Sequence, residues 1–152
     1  MNEEYDSILE ITNAYDYVGK NLYIGGTLSD YSKFNSVVCC TPDIVCHNRT
    51  NKITHMVPFN DCDELPPERF IQHIVELVLN DLKHGTVYVH CTAGLNRSGL
   101  IVALVMIQLG WDAKGAVAHL REIRSCSVLC NETFHDRVIC EPIVIQNKNI
   151  ES

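Results

Sequence analysis

A strand-like run, a short polar loop and a helix-like run follow one another directly in this chain, and together they constrain its fold more than any other segment. Residues 86–89, Thr-Val-Tyr-Val, are β-branched or aromatic and predict a short buried strand. Residues 100–109 form a mostly apolar run that is too long for a strand and ends at Gly110, which predicts a buried helix. The segment between them, residues 90–99, therefore connects the end of a strand to the beginning of a helix.

This connecting loop has the features of an anion site. Backbone N–H groups from Thr92 to Arg97 can turn inward beside the positive end of the helix, which together form a cradle of phosphate size. The guanidinium of Arg97 is a planar fork of donors that suits two phosphoryl oxygens. A thiol in such a field is stabilised as the thiolate, so Cys91 is the predicted nucleophile. Gly94 and Gly99 permit the tight backbone that the loop requires.

The His-Cys-x5-Arg-Ser spacing at residues 90–98 resembles the signature loop of the protein tyrosine phosphatase superfamily. The chain from about Asn21 to about Cys140 is similar to the small dual-specificity branch of that superfamily, in its compact atypical or viral form. This resemblance implies a protein tyrosine phosphatase-like α/β fold with a central, mostly parallel sheet flanked by helices. Three further segments carry the likeness, namely residues 21–26, residues 53–61, and residues 121–125 with Asn131.

The resemblance also implies a mechanism and a set of site residues. Cys91 attacks phosphorus to form a cysteinyl-phosphate, Arg97 stabilises the phosphoryl group, and Ser98 stabilises the thiolate that leaves in the second step. His90 is expected to orient the loop, and Asn131 is expected to brace that loop or the general-acid loop, so both are supporting residues. The residues assigned to phosphate binding are Thr92, Ala93, Gly94, Leu95, Asn96 and Arg97.

The mechanism needs a general acid for the departing oxygen. Asp61 is the predicted acid, because it follows a predicted strand and lies 30 residues before Cys91, where the resemblance places this residue. Asp63 is the alternative in the same acidic loop. A solvated turn without a catalytic role is the simplest alternative, since Asp and Asn are common turn residues.

The substrate class is less tightly constrained than the chemistry. Residues 92–96 include no Lys or Arg, which argues against the phosphoinositides that basic loop residues recognise in this superfamily. The expected function is therefore a dual-specificity protein phosphatase acting on phosphotyrosine and on phosphoserine or phosphothreonine. An RNA 5′-triphosphatase is the alternative enzyme, since such members share a Gly-Leu-Asn-Arg-like segment. A non-catalytic phosphoprotein-binding module is the second alternative, although Cys91, Arg97 and Asp61 are all present.

Composition and charge argue against several classes of binding partner. The chain has 12 Lys and Arg against 19 Asp and Glu, and a net charge of −7 argues against nucleic-acid binding. No apolar run has transmembrane length and the N-terminus is acidic, so we expect no membrane association and a cytoplasmic location, with the nucleus as the alternative. We expect no metal or other cofactor, because Arg97 and the loop amides supply the positive field.

The eight cysteines lack the paired spacing of a structural zinc site, and most are interpreted as small apolar core residues. Cys40 is a candidate resolving thiol for an oxidised Cys91.

The 152 residues predict a single domain over 1–152, with residues 143–152 as a tail. Strands are predicted at 21–24, 36–40, 54–57 and 86–89, and a loop at 41–52. Helices are predicted at 2–11, 29–34, 67–82, 100–109, 112–124 and 131–141.

Overall fold

The computed structural model describes residues 15–42 and 53–140, and every structural statement concerns these two ranges. In chain order their elements are β1 (Tyr15–Gly19), β2 (Leu22–Gly25), β3 (Ser36–Cys39), β4 (His55–Met56), α1 (Glu68–Leu82), β5 (Val87–His90), α2 (Arg97–Gln108), α3 (Ala113–Ile123) and α4 (Glu132–Cys140).

The strands form one sheet in the spatial order β1-β2-β5-β3-β4. β1 and β2 are antiparallel, whereas β2, β5, β3 and β4 pair in parallel. The predicted α/β fold, with a mostly parallel sheet flanked by helices, is thereby confirmed. β5 lies at the centre and all its residues are buried, as expected for a parallel strand covered on both faces. Its carboxyl end delivers the following loop to the edge where ligands bind in such sheets.

The central strands direct alternate residues to two different layers. On one face, Val38 and Val89 pack into the main hydrophobic core together with the helices. On the other face, Val37 and Tyr88 belong to a smaller aromatic cluster, in which the rings of Phe34 and Tyr88 stack at 4.6 Å. Both faces of β5 are therefore fixed by packing, which holds the start of the following loop in place.

α2 is the central helix of the domain. It contacts α1, α3, α4 and β5, and residues 98–106 are all buried. A helix that is apolar all round is one enclosed on every side, which confirms the helix predicted from residues 100–109. Because α2 begins at Arg97, its N-terminus lies directly at the end of the loop that follows β5.

The starts of the other helices agree with the sequence. α1 begins immediately after Pro67. The Asp112 carboxylate accepts a hydrogen bond from Gly115 N at 2.7 Å at the start of α3, and Asn131 Oδ1 accepts from Phe134 N at 3.2 Å at the start of α4. These bonds satisfy N–H groups that a helix N-terminus leaves without intrahelical partners, so both predicted caps are confirmed.

One prediction about local structure was wrong, and one strand was not predicted. Residues 29–34 form turns instead of a helix, because Asp30 Oδ1 accepts from Ser32 N at 2.9 Å and competes with helical backbone bonds. Strand β1 was not predicted, because the alternation of aromatic and polar side chains covers only residues 15–17, which is too short to indicate a strand. Its pairing with β2, with Tyr15 opposite Gly25, makes it a strand.

The predicted helix at 2–11, residues 43–52 of the predicted loop and the predicted tail at 143–152 lie outside the described residues. The single domain over 1–152 stays a prediction. Within the two described ranges, no helix has the length and apolar character needed to cross a membrane. The cysteines in these ranges are all free thiols.

Candidate active site

In the loop after β5, the backbone carbonyl groups are bonded to the rest of the domain. The carbonyl oxygens of residues 92–96 all accept hydrogen bonds from other groups of the domain. Because C=O and N–H point in opposite directions across a trans peptide, the N–H groups of residues 93–97 are turned to the other side. The loop thus presents a run of donors beside the N-terminus of α2, the arrangement that binds an oxyanion. The donors to the carbonyls, in order, are Thr27 N at 3.2 Å, Arg124 Nη2 at 2.8 Å, Arg124 Nε at 3.1 Å, Leu129 N at 3.1 Å and Leu100 N at 2.8 Å.

Gly94 is required by both the conformation and the packing of this loop. Its φ is +74°, in the left-handed region that favours glycine. A Cβ atom at this position would lie 2.4 Å from the carbonyl carbon of Gly25 at the end of β2. The loop is therefore packed directly against the neighbouring strand of the sheet.

Cys91 is buried at the base of the loop, with 2% of its surface exposed. Its Sγ lies 3.3 Å from Oγ of Ser98, which is itself fully buried in the first turn of α2. A hydroxyl hydrogen directed at sulfur stabilises negative charge on it, as does the N-terminus of a helix. The structure thus brings together the predicted nucleophile and the residue predicted to stabilise it as a leaving group.

Arg97 is held by acceptors from three segments. Nη1 donates to Thr41 Oγ1 at 3.3 Å and to the carbonyl oxygen of Phe59 at 3.4 Å, and Nη2 donates to Thr92 Oγ1 at 3.2 Å. Nε is buried and makes no hydrogen bond with the described residues. The guanidinium is therefore fixed in orientation at the loop. The contact with Thr41 was not predicted, because this threonine lies 56 residues from Arg97 along the chain.

Asp61 lies beside the signature loop. Its Oδ2 accepts from Asn96 Nδ2 at 3.0 Å, and its Oδ1 accepts from Asn131 Nδ2 at 2.7 Å. Asp63 contacts α4 through its backbone, where its carbonyl oxygen accepts from Thr133 Oγ1 at 3.2 Å. The structure therefore brings the carboxylate of Asp61 to the loop, and the role of Asp61 as the acid stays a prediction.

Arg124 is a supporting residue that the sequence did not reveal. Its side chain is 4% exposed, and its Nη1 pairs with Asp16 Oδ2 at 3.0 Å. Its other nitrogens donate to the carbonyl oxygens of Ala93 and Gly94. Arg124 therefore joins the outer part of the loop to strand β1. The sequence resemblance included this residue without indicating what it contacts.

His90 is fully buried on the aromatic face of the sheet, opposite the main core. Its ring stacks on Tyr31 at 4.9 Å and on Tyr88 at 5.4 Å between ring centroids. These contacts fix the end of β5 from which the loop departs. The hydrogen bond by which His90 is expected to orient the loop stays a prediction.

Cys40 and Cys91 are the residues that directly follow the paired strands β3 and β5. Cys39 pairs with His90 across the parallel strands, and Cys40 N donates to the His90 carbonyl oxygen at 2.8 Å, so the following residues are neighbours. Burial raises the pKa of the Cys40 thiol well above its ordinary value, negative charge on Cys91 raises it further, and Arg97 lowers it. Cys40 is thus a neutral thiol, and its part as a resolving cysteine stays a prediction.

Residues 17–140 match the family described as "Dual specificity phosphatase, catalytic domain". This chain belongs to that family. The match to the dual specificity phosphatase family includes the signature loop and the elements from β2 to α4, as the sequence resemblance implied.

This dual specificity phosphatase domain is 31% identical over 77 residues to the "Probable protein tyrosine phosphatase type IVA A" of Dictyostelium discoideum. The aligned segment covers 49% of this chain and 46% of that protein. The chain therefore matches about half the length of this curated relative.

Solved structures share the fold of the domain. Human DUSP28 superposes with a TM-score of 0.71 at 14% identity, over 82% of this chain and 90% of that one. The human tyrosine phosphatase-like serine/threonine/tyrosine-interacting protein superposes with a TM-score of 0.66 at 20% identity, over 82% of this chain and 92% of that one. OH1 of the Orf virus superposes with a TM-score of 0.60 at 18% identity, over 90% of this chain and 96% of that one. At these identities the likeness concerns the fold alone.

Proposed function

We propose that this domain hydrolyses phosphate monoesters on proteins, including phosphotyrosine and phosphoserine or phosphothreonine, through a cysteinyl-phosphate at Cys91. The observation that carries the proposal is the orientation of the loop, in which the carbonyls of residues 92–96 are bonded away from the amides of residues 93–97. Those amides, Arg97 and the N-terminus of α2 surround a position suited to a phosphoryl group, with Cys91 at its base.

The first step forms the cysteinyl-phosphate. Cys91 Sγ forms a bond to phosphorus while the bond from phosphorus to the ester oxygen breaks. Asp61 gives its proton to the departing oxygen, so that no alkoxide or phenoxide is released. Arg97 and the loop amides stabilise the equatorial oxygens as charge spreads over them.

The second step regenerates the enzyme. A water molecule attacks phosphorus, Asp61 accepts a proton from it, and the S–P bond breaks with the electron pair remaining on sulfur. The hydroxyl of Ser98, 3.3 Å from Sγ, stabilises the departing thiolate. Since Asp61 acts as acid and then as base, the rate of hydrolysis should have a bell-shaped dependence on pH.

Among the described residues, the position of the basic side chains around the loop favours monoesters over polyphosphates. Arg121 and Arg124 are close to the loop, but both donate to main-chain carbonyls within the domain. They therefore do not offer a second cationic subsite for a triphosphate or an inositol phosphate. This supports phosphorylated proteins as partners in preference to RNA 5′-ends or lipids. A cytoplasmic location, with the nucleus as the alternative, stays a prediction.

The test compares wild type, Cys91→Ser, Asp61→Asn and a control, Cys126→Ser, on several substrates. Cys126 is an exposed cysteine outside the loop. The substrates are an aryl phosphate, phosphotyrosine and phosphothreonine peptides, a phosphoinositide and 5′-triphosphorylated RNA. OH1 of the Orf virus is described as a tyrosine phosphatase with triple substrate specificity, so a broad set is warranted.

Wild type and Cys126→Ser should hydrolyse the aryl phosphate and the phosphopeptides, and Cys91→Ser should lose activity by at least about a thousandfold. Acid-quenched wild type should carry a phosphate on the peptide that contains Cys91. Preference for the RNA or for the lipid would overturn the assigned substrate. If wild type hydrolysed none of these compounds but bound phosphopeptides, the domain would instead be a non-catalytic binding module.

A further inference from the structure

Asn96 immediately precedes α2 but does not cap it with its side chain. An asparagine in this position commonly uses its side-chain oxygen to accept a hydrogen bond from the first turn of the helix. Here the backbone carbonyl of Asn96 accepts from Leu100 N at 2.8 Å, while the side-chain amide is directed to Asp61 and to Asn131. The side chain is therefore committed to contacts outside its own helix.

The orientation of the Asn96 amide is fixed by a backbone donor. Its Oδ1 accepts a hydrogen bond from the backbone N–H of Asn131 at 3.0 Å. A backbone N–H can only donate, so the oxygen of the amide must face it and the Nδ2 group must face the other way. Nδ2 accordingly donates to Asp61 Oδ2 at 3.0 Å. Reversing the amide would lose both hydrogen bonds.

The second oxygen of Asp61 is held in the same manner. Asn131 Nδ2 donates to Asp61 Oδ1 at 2.7 Å and to the Cys62 carbonyl oxygen at 2.8 Å, while its Oδ1 caps α4. Two amides from different segments thus fix both the position and the rotation of the carboxyl group. Asn96 directly precedes Arg97 in the chain. Its hydrogen bond to Asp61 therefore fixes the position of this carboxyl group relative to the phosphate-binding loop.

These bonds are compatible with an acid that carries a proton. A protonated carboxyl group keeps an acceptor lone pair on each oxygen. Both amides can therefore continue to donate while the O–H group of Asp61 points to the departing oxygen. A shift of about 1 Å in such an alignment can reduce a rate by about a hundredfold.

We infer that Asn96 is a positioning residue that aligns Asp61 with the leaving-group oxygen, and that its side chain does not bind phosphate. The inference rests on the proposed function, in which Asp61 is the general acid. It adds a role for the side chain of Asn96 to the predicted phosphate binding, in which the backbone of this residue takes part. Alkyl oxygens leave poorly without a proton, so Asn96 should matter most for phosphoserine and phosphothreonine.

The test measures kcat and KM for Asn96→Ala and Asn96→Asp on aryl phosphates of graded leaving-group acidity and on a phosphothreonine peptide. Inhibition by inorganic phosphate reports the phosphate site separately. Asn96→Asp keeps the shape and the acceptor for Asn131 N but replaces the donor to Asp61 by a carboxylate oxygen. Asn60→Ala is the matched control, since Asn60 is the exposed amide next to Asp61 in sequence and makes no bond to it in the described structure.

Asn96→Ala should lower kcat about 10- to 100-fold on the phosphothreonine peptide and less than about threefold on the most activated aryl phosphate. KM and the inhibition constant of phosphate should change less than about twofold. Asn96→Asp should lose at least as much activity with the same dependence on the leaving group, and Asn60→Ala should match wild type. In the Asp61→Asn background, Asn96→Ala should cause no further loss.

An equal loss on every substrate, or weaker inhibition by phosphate at unchanged kcat, would show that Asn96 acts on phosphate and would overturn the inference. Thermal melting of each variant separates such a loss from unfolding, and Asn96→Asp provides a second variant if Asn96→Ala is unstable. A wild type inactive on all aryl phosphates contradicts the proposed function. An active wild type together with an unaffected Asn96→Ala contradicts this inference alone.

Discussion

The hydroxyl oxygens of Thr41 and Thr92 lie 2.9 Å apart, which joins the end of β3 to the signature loop. Each of them also accepts a hydrogen bond from a different terminal nitrogen of Arg97. The three side chains thus form a closed arrangement that fixes the plane of the guanidinium. Such preorganisation reduces the rearrangement needed when charge develops on a phosphoryl group.

Thr41→Val should lower kcat/KM for an aryl phosphate about tenfold, because the substitution keeps the shape of the side chain and removes the acceptor for Arg97 Nη1. Thr54→Val is the matched control. Thr54 Oγ1 accepts from Val37 N at 3.0 Å on β3 and not from Arg97, so its loss should change kcat/KM less than about twofold. Steady-state kinetics of both variants, at a temperature where both are folded, measures kcat/KM. Equal kcat/KM values for Thr41→Val and Thr54→Val would show that the position of Arg97 does not depend on Thr41.

Gly94→Ala should destabilise the domain more than Gly110→Ala. Both glycines have positive φ, +74° and +111°, so both substitutions cost about 1–2 kcal/mol in backbone strain. A Cβ at residue 110 meets nothing within 4 Å, whereas one at residue 94 meets the backbone of Gly25 at 2.4 Å. We expect the free energy of unfolding of Gly94→Ala to be lower by at least about 2 kcal/mol than that of Gly110→Ala.

Chemical denaturation of the two glycine variants measures this difference, and hydrolysis should be lost in Gly94→Ala even where it is folded. Equal stabilities would mean that the loop can move away from β2 without cost.

Arg124→Met should lower the free energy of unfolding by about 3 kcal/mol. The substitution keeps most of the apolar stem, but it removes the donors to Ala93 and Gly94 and the partner of Asp16. The exposed Arg69 is the control, and Arg69→Met should change the stability by less than about 0.5 kcal/mol. Denaturation curves of both variants check the prediction, which fails if Arg124→Met is as stable as Arg69→Met.

The strand, loop and helix around Cys91 were predictable because the local pattern and the tertiary environment agree. The apolar runs on either side of the loop are buried on all sides, so their composition alone identifies them. Strand β1 was not predictable, because an edge strand of five residues depends on its partner β2 more than on its own pattern.

In the candidate site, the residues within the motif were predictable and their long-range partners were not. The motif fixes the order of Cys91, Arg97 and Ser98 along the chain. It does not indicate that Arg97 contacts Thr41, which is 56 residues away, or that Arg124 reaches a carbonyl 31 residues away. Nor does a motif specify side-chain direction, so it does not indicate that the side-chain amide of Asn96 faces Asp61.

The buried thiol of Cys40 should make stability depend on pH in the alkaline range. Burial raises its pKa well above the ordinary value of 9.0 in the folded chain. Above about pH 9 the unfolded chain loses this proton while the folded chain keeps it, so the folded state binds more protons and its stability falls as pH rises. The fall is at most about 1.4 kcal/mol per pH unit for one group. Below pH 9 the thiol is neutral in both states and contributes no pH dependence.

Cys40→Ala should therefore show a shallower decrease in the free energy of unfolding between pH 8.5 and pH 10 than wild type, by up to about 1.4 kcal/mol per pH unit. The comparison uses slopes, since the cavity left by the substitution lowers stability at every pH. Tyr88→Phe is the matched control, because burial also raises the pKa of Tyr88 but its ordinary value is 10.0, so its contribution begins one pH unit higher. Urea denaturation at each pH gives the slopes. Identical slopes for wild type and Cys40→Ala would show that Cys40 ionises in the folded chain as readily as in the unfolded one.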